Sequence, residues 1–125
     1  MLFDTDVLIW FLRGNAKAAE AIDAALDRRV SIVSYMELLQ GARNKTELRL
    51  IQAFLRDMVI QMAPLSENIG HRAAVYMEEY GLRVALCMGD ALIAATAVEA
   101  RTPLCTGNRK HFRLIEDLEI ATFRP

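Results

Sequence analysis

The sequence predicts an α/β domain, a mainly parallel sheet with helices packed on both of its faces. Three observations lead there. Short apolar segments alternate along the whole chain with segments of helical periodicity. Residues 1–125 contain no repeat, linker or low-complexity run, so a single domain is expected. Apolar residues make up 54% of the chain and charged residues 25%, enough for a core without covalent staples.

In chain order, Met1 to Phe3 reads as a short buried strand and Val7 to Leu12 as a helix ending near Gly14. Ala16 to Arg29 forms an amphipathic helix with Ile22 and Leu26 on one face. Val30 to Val33 is the second strand, and Ser34 opens a helix that stops near Gly41. Thr46 to Arg56 is helical, Met58 to Met62 is a strand, and Pro64 turns the chain. Ser66 caps a helix that reaches Tyr80, with Gly81 at its C′ position. Gly89 to Ala100 is a regular apolar helix, Leu104-Cys105 a strand, and Glu119 to Phe123 the last strand.

A net charge of −1 argues against gripping nucleic acid mainly by bulk electrostatics, while leaving room for local phosphate contacts. Cys87 and Cys105 have no Cys-x-x-Cys spacing, and Met1-Leu2-Phe3-Asp4 meets a charge too early for a secretory h-region. A reducing, cytoplasmic setting is therefore expected. No Gly-rich phosphate loop is present, and His71 and His111 have no zinc-ligand spacing.

Ligands of open parallel sheets bind beyond the carboxyl ends of the strands. Asp4 ends the first strand, Glu37 lies in the first turn of the helix after the second, and Asp90 begins a helix that runs back antiparallel to the strands, which places its N-terminus at the same edge. Thr106-Gly107-Asn108 follows the fourth strand directly. Each acid has a structural explanation when taken alone. Ser34-x-x-Glu37 fits a capping box, and Asp90 and Asp6 suit helix N-caps. Together they require more, because unit charges ~4 Å apart repel by about 4 kcal/mol at an effective dielectric near 20. Such a cluster needs a proton or a cation, and oxygen-only ligands favour Mg²⁺ or Mn²⁺. Metal-dependent phosphoryl transfer is the chemistry these residue types suit. Arg109 and Lys110, beside Asn108, are either a solvated charge run or phosphate-positioning groups.

Four blocks then resemble the PIN-domain family, and within it the VapC-type toxins. They are Leu2-Phe3-Asp4-Thr5-Asp6-Val7-Leu8-Ile9, Ser34-Tyr35-Met36-Glu37-Leu38 with Gly41, Gly89 to Ala97, and Thr106-Gly107-Asn108-Arg109-Lys110-His111-Phe112. They come in the family's order and span nearly the whole chain. The resemblance implies a three-layer α/β/α sandwich with a mainly parallel sheet of about five strands. It also implies a metal-dependent endoribonuclease, the toxin of a toxin–antitoxin module, with RNA as substrate, a cognate antitoxin as partner and a homodimeric state. Carried over by position, Asp4, Glu37 and Asp90 are the Mg²⁺- or Mn²⁺-binding acids. Asp6, Thr106, Asn108, Arg109 and Lys110 are expected around them or on the substrate. Two departures stand out. Many relatives have a fourth acid where this chain has Asn108, and often Asn or Ser where it has Asp6. The first departure leaves a non-catalytic RNA-binding or dimerisation module as one alternative. A second is a haloacid-dehalogenase-type phosphatase built on Asp4-x-Asp6, although that motif wants an acid at the position of Ala94.

Overall fold

A computed structural model describes residues 1–125. Its elements are β1 (Leu2–Phe3), α1 (Thr5–Leu12), α2 (Ala16–Ala24), β2 (Arg29–Ser31), α3 (Ile32–Gln40) and α4 (Lys45–Asp57). They continue with β3 (Gln61–Ala63), α5 (Glu67–Tyr80), α6 (Met88–Glu99), β4 (Leu104–Thr106), α7 (Arg109–Phe112) and β5 (Ile120–Thr122). The strands form one parallel five-stranded sheet in the order β3-β2-β1-β4-β5. No helix is long and apolar enough to cross a membrane.

Alternation along the strands divides the core into two layers. Leu2 and Leu104 point into a cluster with Ala73 and Tyr76 of α5 and Ile93 and Ala94 of α6. Their neighbours Phe3 and Cys105 point the other way, into a cluster with Val7, Leu8, Ile22 and Phe54. Successive side chains of a strand face opposite sides, so one central strand serves both layers. This is the expected α/β/α arrangement.

The strand order creates a switch point. From β1 the chain moves to β2 and β3 on one side, then crosses over to β4 and β5 on the other. The crevice beyond the carboxyl ends of β1 and β4 is where such sheets bind ligands. Asp4 follows β1, and Thr106 ends β4.

Element boundaries differ from the sequence reading at several places. α1 begins at Thr5 with Asp4 as N-cap, not at Val7. α2 stops at Ala24, leaving Leu26 fully exposed beyond it. The Arg28 guanidinium ends that helix by donating to the Ala25, Asp23 and Met58 carbonyls. β3 starts at Gln61, because Met58 and Val59 close α4 through a left-handed Val59 (φ 54°). Gly81 stays right-handed (φ −55°) rather than taking the left-handed C′ conformation. α7 is absent from the sequence reading; four residues carry no readable periodicity, although its Phe112 is fully buried.

Candidate active site

The site grows from the β1–α1 junction. Asp4 is only 4% exposed, and both of its carboxylate oxygens are held. Oδ1 accepts the Thr5 N–H at 2.8 Å, and Oδ2 accepts the Thr106 hydroxyl at 2.7 Å across the switch point. The Asn108 N–H in turn donates to Thr106 Oγ1 at 3.0 Å, which fixes the loop after β4. Asp6, in the first turn of α1, accepts the Gly107 N–H at 2.8 Å through Oδ2. Asp6 is thus not the N-cap; Asp4 is.

Glu37 reaches the same junction from α3. Because Ser31 caps that helix, Glu37 lies in its second turn, and Ser34 is a buried helical residue. The capping-box reading of Ser34 and Glu37 is therefore incorrect. Glu37 Oε1 accepts the Thr5 hydroxyl at 2.6 Å instead, and Ser34 Oγ lies 2.9 Å from that hydroxyl. A hydroxyl has one proton and a carboxylate only accepts, so Thr5 donates to Glu37 and receives from Ser34. Glu37 Oε2 stands 3.3 Å from where a Cβ on Gly89 would be, so Gly89 lets α3 and the start of α6 approach.

Asp90 comes from the first turn of α6, two residues inside the helix start at Met88. The N-cap position belongs to Cys87, which gives no side-chain cap, so the reading of Asp90 as N-cap is also incorrect. Asp90 Oδ2 accepts from the Cys87 thiol at 3.1 Å and lies 3.5 Å from His111 Nδ1. Asn108 precedes α7 with its side chain capping nothing. Arg109 Nη1 donates to Thr122 Oγ1 at 3.2 Å, and Lys110 is exposed.

The electrostatics identify which acids feel one another. Burial, then Asp6, pushes the Asp4 carboxyl up to about 7; Asp90 adds to this, against the hydrogen bonds from Thr106 and Thr5. Asp6 is also raised, first by burial and in smaller part by Asp90, against the N–H groups of Gly107 and Val7. Beneath them, burial and then Asp6 and Asp4 push the Cys105 thiol up to about 11. Asp4, Asp6 and Asp90 therefore share one field of negative charge.

No group of three or more His, Cys, Asp and Glu side chains is gathered tightly enough to chelate an ion outright. Mg²⁺ keeps several waters and takes one or two protein carboxylates, so it does not require such a group. The four acids at this edge offer carboxylate oxygens, with the Cys87 thiol and His111 turned onto Asp90, and the Asp4–Asp6–Asp90 repulsion is what a hydrated divalent cation would relieve.

The sequence reading misses Thr5, Ser34, Gly107, Cys87 and His111. Thr5 and Gly107 lie inside the motif blocks, but their roles come from contacts between segments 32 and 101 residues apart. A Cβ on Gly107 would stand 2.8 Å from Asp6 Oδ2 and 3.4 Å from the Phe123 carbonyl. Gly107→Ala should therefore push the Asp6 side chain aside while the fold persists. We expect cleavage to fall roughly tenfold, as for other supports behind a ligand set, with a near-parental thermal melt. An unchanged rate would remove Asp6 and Gly107 from the working site.

Residues 1–117 match the family model for the PIN domain, and the chain belongs to the PIN-domain family. Within it, the chain is 38% identical over 125 residues to Ribonuclease VapC10 of Mycobacterium tuberculosis, covering 95% of this chain and 90% of that protein. It is 31% identical over 123 residues to Ribonuclease VapC19 of the same organism, covering 94% and 96%. Among solved structures, a toxin-antitoxin complex from Klebsiella pneumoniae contains a similar chain. That chain aligns with TM-score 0.82 and 28% identity, over 99% of this chain and 98% of that one.

Proposed function

We propose that this protein is a metal-dependent endoribonuclease acting in the cytoplasm as the toxin of a toxin–antitoxin pair. One observation carries the reading. At the switch point of the sheet, a buried Asp4 with its carboxyl raised to about 7 shares its field with Asp6 and Asp90. The names of the relatives, ribonucleases VapC10 and VapC19, support the substrate class.

In this reading Asp4, Glu37 and Asp90 are the acids that hold Mg²⁺ or Mn²⁺. Bound there, the ion would supply an activated water and offset the charge of the phosphodiester in its transition state. The chain's own residues prepare the place. Thr106 and the Thr5 N–H fix both oxygens of Asp4, so its orientation is set before substrate arrives. The Thr5 hydroxyl fixes one oxygen of Glu37, leaving Oε2 toward α6. Cys87 and His111 engage Oδ2 of Asp90, which leaves Oδ1 for the site. In the same reading Arg109 and Lys110, which follow β4 on the rim, would contact substrate phosphates. The phosphatase alternative wants an acid at the position of Ala94, and this chain has none there.

A covalently closed circular RNA tests the endonuclease directly, since it offers no end to an exonuclease. Incubation with Mn²⁺ should linearise it; an intact circle beside degraded linear RNA would contradict the reading. Asn108 stands where many relatives place a fourth acid, and its side chain caps no helix. Asn108→Asp should tighten Mn²⁺ binding in calorimetry by several-fold, since added ligand charge strengthens hard-cation sites. Unchanged affinity would mean that Asn108 either points away from the ion or contacts only substrate.

The Klebsiella pneumoniae structure is a toxin-antitoxin complex, and this supports an antitoxin partner here. The homodimer that the family resemblance implies is part of the same proposal. Expression of the chain alone should arrest growth of a bacterial host. Co-expression of the neighbouring small gene product should relieve the arrest and co-purify with the chain. Harmless expression of an active enzyme would assign it to housekeeping RNA turnover instead.

A further inference from the structure

The charge balance raises the question of how a single RNA strand is held. With a net charge of −1, bulk attraction to phosphate is weak, so grip must come from local contacts. The first turn of α1 carries Asp6 at the site, and one face of the helix continues from it. Asp6, Trp10 and Arg13 follow at i, i+4 and i+7, so they lie on one stripe. Trp10 is an aromatic ring left 37% exposed, about 6 Å along the helix axis from Asp6. The Arg13 guanidinium carbon lies over one face of the ring, 6.0 Å from its centroid, so a base would stack on the other face, and no carboxylate pairs with Arg13.

We propose that Trp10 and Arg13 form a single-stranded RNA subsite next to the acidic centre, with a base stacked on the Trp10 ring and the adjoining phosphate on Arg13. The inference rests on the ribonuclease reading and deepens it. Stacking on an aromatic ring is tolerant of sequence, since every base presents a π-face, and a neighbouring Arg adds charge for the backbone. A large ring exposed one turn from a site acid, beside an unpaired cation, matches both requirements. The subsite gives the strand a path over α1 to the phosphodiester at Asp4 and Asp90.

Trp10 is the chain's single tryptophan, so its fluorescence reports this position alone. The probe is a single-stranded RNA oligonucleotide that the parent protein cuts in Mn²⁺. Binding is measured on Asp90→Asn in EDTA, where nothing is cleaved. Saturable quenching of Trp10, weakening with added salt, is expected. In Mn²⁺, Trp10→Ala should raise KM on the order of tenfold with kcat within about twofold. Trp10→Phe should recover most of the loss, because a ring remains. Arg13→Gln should flatten the salt dependence of binding. No quenching by an oligonucleotide that the parent cleaves, or an unchanged KM in Trp10→Ala, overturns the subsite and leaves the nuclease standing.

Discussion

Asp90→Asn and Glu37→Gln are expected to lose RNA cleavage on the order of 10²–10³-fold, the scale of removing a preorganised electrostatic group from a site, while both still fold. The substitutions are chosen to preserve what the structure uses for packing. In Glu37→Gln the new amide oxygen can accept the Thr5 hydroxyl as Oε1 of Glu37 does. In Asp90→Asn the new amide oxygen can accept the Cys87 thiol as Oδ2 of Asp90 does. Neither residue is the cap of its helix, so no cap hydrogen bond is lost; only the interaction of Asp90 in the first turn with the positive end of α6 is given up. What disappears is a negative charge needed to hold a cation. In EDTA the Asp90→Asn melt should stay level or rise, because Asp90 repels Asp4 and Asp6. Full cleavage by both variants with parental melts would leave these two acids as scaffold only.

The second large effect is on stability in the absence of metal. Asp4 takes up a proton at about 7 in the folded protein, against an ordinary value of 3.8. Between those values the folded chain binds more protons than the unfolded one, so stability falls as pH rises. The favourable contribution is fully present at the acid end of that window and lost once pH passes about 7. Asp6 is shifted in the same direction and adds to the slope. The expected loss is a few kcal/mol, or a drop in Tm on the order of 10 °C between pH 5 and pH 8 in EDTA. Saturating Mn²⁺ should recover much of that loss at pH 8, since a ligand bound only by the folded state stabilises it. At pH 5 the same addition should do less, because a protonated Asp4 is a poor ligand. Asp4→Asn should flatten the pH dependence. A parental melt that rises from pH 5 to pH 8 in EDTA would contradict the assignment of Asp4.

The fold is legible in the sequence because its signals are local. Alternating apolar and amphipathic segments announce strands and helices, and they imply a parallel sheet covered on both faces. Leu26 misleads because a helical pattern in sequence does not reveal where Arg28 will collect carbonyls and end the helix. Gly81 misleads because glycine permits a left-handed cap without imposing one. In the site, Asp4, Glu37 and Asp90 stand out by residue type and position. The Ser34–Glu37 spacing points to a cap, yet the partner of Glu37 is Thr5, 32 residues away. The Gly107 contact with Asp6 spans 101 residues and forms only once β4 lies beside β1. Such contacts belong to the sheet order, which local patterns do not encode.

The central claim is that clustered carboxylates at the β1–β4 crevice cut RNA through a bound divalent cation. Reversible chelation tests it most directly: RNA cleavage by the purified protein is followed in Mn²⁺, after excess EDTA, and after Mn²⁺ is restored above the chelator. The account predicts cleavage, arrest and recovery in the parent, with Asp90→Asn slower on the order of 10²–10³-fold wherever Mn²⁺ is free. Cleavage that continues undiminished in EDTA, or an Asp90→Asn protein as fast as its parent, would contradict it.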